Sequence, residues 1–226
     1  MAKGSRPSSG GGGGRFSVTT VMTDSGEEID LQGVPLVYGE KDSAITPAQR
    51  QALEKQETKR LKAKVEYSAI YDQDGNIIGQ ETKGGRGSVR TPLRYFQEDA
   101  TLTHNHPREA GVLGGTFSDA DVNTLVSTKI STIRASAKEG TYSMTKGSNF
   151  DGAGLKAYLR SETSKNEASY SSRNKTLRER VRSGSISYDD YYKSAKDSFN
   201  QFLIAEHNSL LAGQKQFGYT YTLEGR

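Results

Sequence analysis

The sequence predicts an α+β protein: a small mixed β-sheet flanked by helices, with a helical C-terminal extension. Three observations carry that expectation. Between residues 63 and 150, short runs rich in β-branched and aromatic side chains alternate with a helical run. Beyond residue 151 apolar side chains recur at helical spacing, as in Tyr191, Ala195, Phe199, Phe202 and Leu203. Hydrophobic residues make up 32% of the chain and its mean hydropathy is −0.75, low for a chain that is globular throughout. Three parts follow: a flexible Gly/Ser-rich tether over 1–44, a domain with its leading helix over 45–150, and a helical extension over 151–226 that ends in a short strand.

Each element has its own local reason. The run Gly10–Gly14, preceded by two serines, has nothing with which to bury a core. Phe16–Val21 and Val34–Tyr38 are short apolar patches suited to pairing with a partner or with the domain edge. Thr46 and Pro47 place an N-cap and a first-turn proline before a polar helix that runs to about Lys62. Val65–Tyr71 reads as a strand, Asp72–Gly75 as a turn, and Asn76–Gly79 as the start of a returning strand. Gly84–Gly87 is a loop and Ser88–Arg90 a short strand.

Ala100–His106 is a strand ended by Pro107, which has no N–H for a sheet ladder. The glycines 111, 114 and 115 mark Arg108–Phe117 as a flexible loop. Ser118 caps a helix running to Thr128. Ser131–Ser136 and Thr141–Thr145 flank a Glu139-Gly140 turn as a closing hairpin. Leu155–Val181 and Ser187–Leu211 are helices; Asp189 and Asp190 suit the positive start of the second, and Gly213 marks its stop. Tyr188, Tyr191 and Tyr192 read as a packing cluster, and His207 as an exposed or packing histidine. Gln216–Leu223 alternates like a last strand, free to rejoin the domain or to extend a partner's sheet.

Charge and composition exclude several function classes. The net charge of +4 comes from 31 basic and 27 acidic residues spread along the whole chain. Only Arg173–Arg182 approaches a basic patch, and it reads as the solvated face of a helix, which argues against nucleic acid as a partner. No run approaches the roughly 18–20 apolar residues of a membrane span, and the N-terminus lacks the apolar core of a signal peptide, so a cytoplasmic protein is expected. With no cysteine, disulfides and thiolate ligands are excluded, leaving histidine and carboxylate to hold a metal.

Two of the three histidines stand one residue apart, at His104 and His106. On a strand, residues i and i+2 project from the same face about 7 Å apart, so two imidazoles can converge on one cation. Asp121, from the following helix, supplies a carboxylate. Two histidines and a carboxylate, with a position left for water, form the layout of a catalytic zinc site. Ser118-x-x-Asp121 also reads as a helix cap with an acid in the first turn.

Taken with Glu66 upstream, the series Glu66, His104-x-His106, Ser118-x-x-Asp121 resembles the JAB/MPN (JAMM) metallohydrolases, and its His-Asn-His-Pro form is similar to bacterial and phage members. The resemblance covers Lys64–Gly147. It implies a layered domain similar to that of cytidine deaminases. It also implies Zn²⁺ held by His104, His106 and Asp121, Glu66 as the catalytic acid/base, and Ser118 as a donor to the developing oxyanion. The activity implied is that of a zinc metallopeptidase or isopeptidase acting on a peptide or protein. Glu81 and Glu98 are alternatives to Glu66. Eleven residues separate His106 from Ser118, a longer spacer than the family pattern has, so substrate access can differ. The tether and polar helices also look similar to phage or prophage head-assembly proteins, which gives the alternative of a virion-associated structural protein carrying a JAB-like domain. A DNA-repair accessory role finds no support in the charge pattern.

Overall fold

A computed structural model describes residues 15–22 and 28–225; the glycine run 10–14 lies outside them. In chain order the elements are β1 (Phe16–Val18), β2 (Thr20–Met22), β3 (Glu28–Asp30), β4 (Leu36–Tyr38), α1 (Pro47–Arg60), β5 (Tyr67–Tyr71) and β6 (Thr82–Lys83). After a 3-10 turn at Leu93–Tyr95 come β7 (Thr101–Asn105), α2 (Asp119–Ser127), β8 (Thr132–Ala137), β9 (Gly140–Lys146), α3 (Gly152–Arg182), α4 (Tyr188–Phe217) and β10 (Tyr219–Glu224). Six strands form one mixed sheet in the order β10-β9-β8-β7-β5-β6. Only β7 and β8 run parallel, and the crossover that a parallel pair requires is supplied by α2 and the loop before it. The chain is thus a mixed α/β protein.

The alternation in the strands decides what covers each face of the sheet. Leu102, Ile133, Ala135, Tyr142 and Met144 point one way and join α2, α3 and α4 in the main core. Thr103, Arg134, Thr141, Ser143 and Thr145 point the other way, yet they too are buried. Helix α1 lies over this polar face and answers it with polar groups. Glu57 accepts from Thr103 Oγ1 (3.0 Å) and Arg134 Nε (2.7 Å), while Asp42 accepts from Ser143 and Thr145. The low apolar content of α1 is therefore matched to the face it covers. Among the described residues, no helix is long and apolar enough to cross a membrane.

Four readings of the sequence need correction. The returning strand at Asn76–Gly79 makes only a single bridge, Ile77 to Tyr71, and Gly79, at φ +79° against the Tyr95 ring, turns the chain away. β6 pairs with the start of β5 instead, and Ser88–Arg90 is not a strand. Gly213 does not stop the last helix. α4 continues to Phe217 and ends on Gly218 in the left-handed conformation (φ 67°), whereas a Cβ on Gly213 would meet Tyr219 Oη at 2.7 Å. Gly213 is thus a close-packing glycine. The patches near the N-terminus are also not tether: β1 pairs with β4, Val21, Ile29, Leu31 and Leu36 are buried in the main core, and Gly39 N–H donates to Leu223 O. β10 returns to this sheet as an edge strand beside β9.

His207, on α4, is fully buried. Its Nε2–H donates to Val37 O at 2.9 Å, which leaves Nδ1 to accept from Tyr221 Oη at 2.7 Å. Burial lowers its pKa to about 4. The unfolded chain takes up the proton near the ordinary pKa of about 6.5, so stability is lost as pH falls through that window, by up to about 3 kcal/mol. Urea unfolding of wild type and His207→Gln at pH 7 and pH 5 checks this: the acid-induced loss should be smaller in the variant.

Candidate metal centre

The register of the sheet brings the sequence-predicted residues together. Ser68 on β5 faces His104 on β7, and continuing that antiparallel register sets Glu66 opposite His106. Residues 66, 68, 102, 104 and 106 therefore share one face. The crossover then delivers α2 to the same end of β7, with Asp121 in its first turn. Glu66, His104, His106, Ser118 and Asp121 all line a single cavity of about 420 Å³. Glu81 and Glu98 do not. Glu81 is bound by Arg60 and Gln56, and the exposed Glu98 pairs with Lys129 at 3.1 Å.

Three ligand atoms converge at the centre. His104 Nε2 lies 2.9 Å from His106 Nε2 and 3.1 Å from Asp121 Oδ1, and His106 Nε2 lies 3.8 Å from Asp121 Oδ2. A tetrahedral ion with bonds of about 2.0–2.1 Å holds its ligand atoms roughly 3.3 Å apart. The two separations from His104 Nε2 fall slightly short of that figure, and the His106 distance is to the other oxygen of the carboxylate. The three residues form a group that can hold a metal ion, with ligand atoms within 4.8 Å of one another.

Two of the three ligands are oriented by a neighbour. His106 Nδ1 lies 3.0 Å from Gly115 O and must donate to it, so the lone pair sits on Nε2, facing the centre. Ser118 is the N-cap of α2, and both its N–H (2.8 Å) and its Oγ–H (2.7 Å) donate to Asp121 Oδ2, which frees Oδ1 for the histidines. His104 Nδ1 is buried without a partner of good hydrogen-bond geometry, though the Arg134 backbone favours a proton on the ring.

The electrostatics suit a cation. Burial works against charge on His104, but Asp121 and Glu66 outweigh it and raise the pKa. Burial would raise Asp121, and the two histidines overcome it and hold the carboxyl ionised. His106 is pushed down to about 4 by burial and by its neighbour His104. Glu66 is raised above the ordinary carboxylate value by burial and by Asp121, against the pull of His104 and Arg108. It is the one proton-accepting group beside the ligand set that no described cation neutralises directly.

Two supporting residues carry no signal in the sequence. Asn105, between the histidines, points to the other face, accepts from Tyr67 N–H (2.7 Å) and donates to Val65 O (3.1 Å). Its amide clamps the backbone on both sides of Glu66. Glu139, buried in the β8–β9 turn, accepts from Gly114 N–H and Gly115 N–H, both at 2.9 Å, and from Tyr142 Oη at 2.7 Å. It thereby fixes Gly115 (φ +81°), whose carbonyl orients His106. This corrects the expectation of a flexible Arg108–Phe117 loop. Asn200 of α4 bonds Leu113 N–H and Gly111 O, and Val112, Leu113 and Phe117 are buried. Searches against protein-family models, curated proteins and solved structures find no match to the chain.

Proposed function

We propose that the chain is a zinc-dependent hydrolase of the JAB/MPN type, cleaving a peptide or isopeptide bond. The observation that supports this reading is the meeting of two kinds of group in one cavity: a His104–His106–Asp121 ligand set and a buried, uncommitted carboxyl, Glu66. An all N/O donor set suits zinc among the common metals, and His104, His106 and Asp121 would hold it. Zinc, when bound, supplies a Lewis acid and lowers the pKa of a water ligand from about 15.7 to about 7.

The rest of the chemistry belongs to the chain's own side chains. Glu66, with its raised proton affinity, takes a proton from the attacking water and returns it to the departing amine. Asn105 keeps that carboxyl aimed into the cavity by holding residues 65 and 67. Ser118 has one hydroxyl proton, and it is donated to Asp121. Serving a substrate oxyanion requires that hydroxyl to turn away from Asp121, so its resting role is to orient the ligand carboxylate.

The metal assignment is tested by elemental analysis. Wild-type protein supplied with Zn²⁺ and then desalted is expected to retain stoichiometric zinc. His104→Ala and Asp121→Ala should each lose it while keeping the fold, judged by circular dichroism. Absence of zinc from wild type overturns the reading.

A further inference from the structure

The cavity carries two positive charges that the ligand set does not use. Arg108 follows Pro107 at the end of the His104–His106 segment, and Arg90 lies on the Gly87–Thr91 segment; both line the cavity. Three less exposed arginines find carboxylates: Arg134 pairs with Glu57 and Glu224, Arg50 with Glu224, and Arg60 with Glu81. Neither Arg90 nor Arg108 makes an ion pair or a side-chain hydrogen bond among the described residues. Of the two carboxylates that line the cavity, Asp121 serves Ser118 and His104, and Glu66 forms no ion pair with either arginine. Arg108 nevertheless stands close enough for its charge to act on both Glu66 and His106. Apolar side chains complete the lining, among them Val89, Phe96, Leu102 and Leu93, the last 80% exposed.

This combination selects a ligand class. Two free guanidinium forks are suited to bidentate capture of a planar anion. In the metal-free chain the charges of Arg90 and Arg108 are matched by those of Glu66 and Asp121, and zinc bound by the ligand set would add to the positive side. Two guanidinium forks flanked by apolar side chains suit a ligand with one anionic group rather than a polyanion such as a nucleic acid. The apolar side chains suit an aliphatic or aromatic neighbour of that group. Resting on the hydrolase reading, we propose that the substrate is a peptide bearing a carboxylate beside the bond to be cut, received by Arg108 with Arg90 as the second cation. The carboxylate comes either from an acidic side chain or from a free C-terminus.

Matched pools of fluorescent hexapeptides test this on the full chain. One pair differs as Glu against Gln at a fixed central position; the other differs as free acid against amide at the C-terminus. Binding is read by fluorescence anisotropy in chelated and in zinc-loaded protein, and cleavage by mass spectrometry. The anionic member of one pair should bind at least about tenfold tighter, as a charge-assisted contact supplies, and which pair does so identifies the source. The preference should survive chelation, fall below about twofold in Arg108→Gln and be partly kept in Arg108→Lys. Equal binding of acidic and neutral peptides, or an unchanged preference in Arg108→Gln, overturns the proposal. Equal cleavage of acidic and neutral peptides overturns it too and leaves the hydrolase reading standing. A carboxylate preference in a protein that takes up no zinc and cleaves nothing overturns the hydrolase reading and leaves the anion site.

Discussion

Glu66→Gln is expected to keep zinc and to lose at least about 10²-fold in turnover, the typical contribution of a positioned general base. The amide is nearly isosteric, so the clamp that Asn105 places on Val65 and Tyr67 is untouched, as is the ligand set on β7 and α2. What disappears is the capacity to accept a proton. Stability supplies an independent check in the chelated protein. The folded-state pKa of Glu66 lies above its ordinary value, mainly through burial. The folded state therefore binds the proton more tightly than the unfolded chain, and the wild-type carboxyl costs stability as pH rises from its ordinary value through the raised one, a cost that is constant at higher pH. Glu66→Gln removes the cost, so its melting temperature should exceed wild type at pH 7 and match it at pH 4. Zinc-dependent cleavage of a peptide library at wild-type rate by this variant overturns the role of Glu66; Glu81 and Glu98, outside the cavity, do not inherit it.

The difference between what the sequence foretells here and what it hides has a physical cause. His104, His106, Ser118 and Asp121 are legible because a strand, a loop and a helix start impose fixed spacings on side chains within one supersecondary unit. Glu66 requires one further step, the pairing of β5 with β7, and period-two alternation then fixes which face it takes. Asn105 and Glu139 are not legible because their partners are backbone groups at Val65, Tyr67, Gly114 and Gly115, which leave no residue-type trace. The Arg108–Phe117 loop reads as flexible from its glycines because the residues that fasten it, Asn200 and Glu139, are distant in sequence. The same holds for the polar face of the sheet. Alternation in β8 and β9 marks the strands, but nothing local says that Thr141 meets Glu57 of α1, and Ser143 and Thr145 meet Asp42, rather than water.

That polar face gives the largest expected effect on stability. Arg134 is among the most buried side chains of the protein, with Nε 2.7 Å from Glu57 Oε1 and Nη2 3.0 Å from Glu224 Oε2. Burial would raise the Glu224 carboxyl, and Arg134 overcomes this and holds it below its ordinary value. Burial likewise disfavours the guanidinium cation, but the two glutamates more than restore it. Arg134→Met fills much the same volume, leaves Glu57 as an uncompensated buried charge and leaves Glu224 with only the partly buried Arg50 as its cation. Breaking a buried pair in this way costs about 3–5 kcal/mol, which for a chain of this size is a fall of about 10 °C in melting temperature. The sign with pH separates this from simple misfit. In wild type the depressed Glu224 carboxyl contributes stability above the ordinary glutamate pKa that is lost as pH falls through the depressed one. In Arg134→Met burial favours the neutral form of the unpaired Glu57 carboxyl, so that variant gains relative stability as pH falls. The two melting curves should converge between pH 7 and pH 4. Adding Glu57→Gln to Arg134→Met should recover part of the loss at pH 7, because the buried carboxylate that lost its cation is then neutral while Glu224 keeps Arg50. A deficit that is the same at both pH values assigns the role of Arg134 to packing rather than to charge.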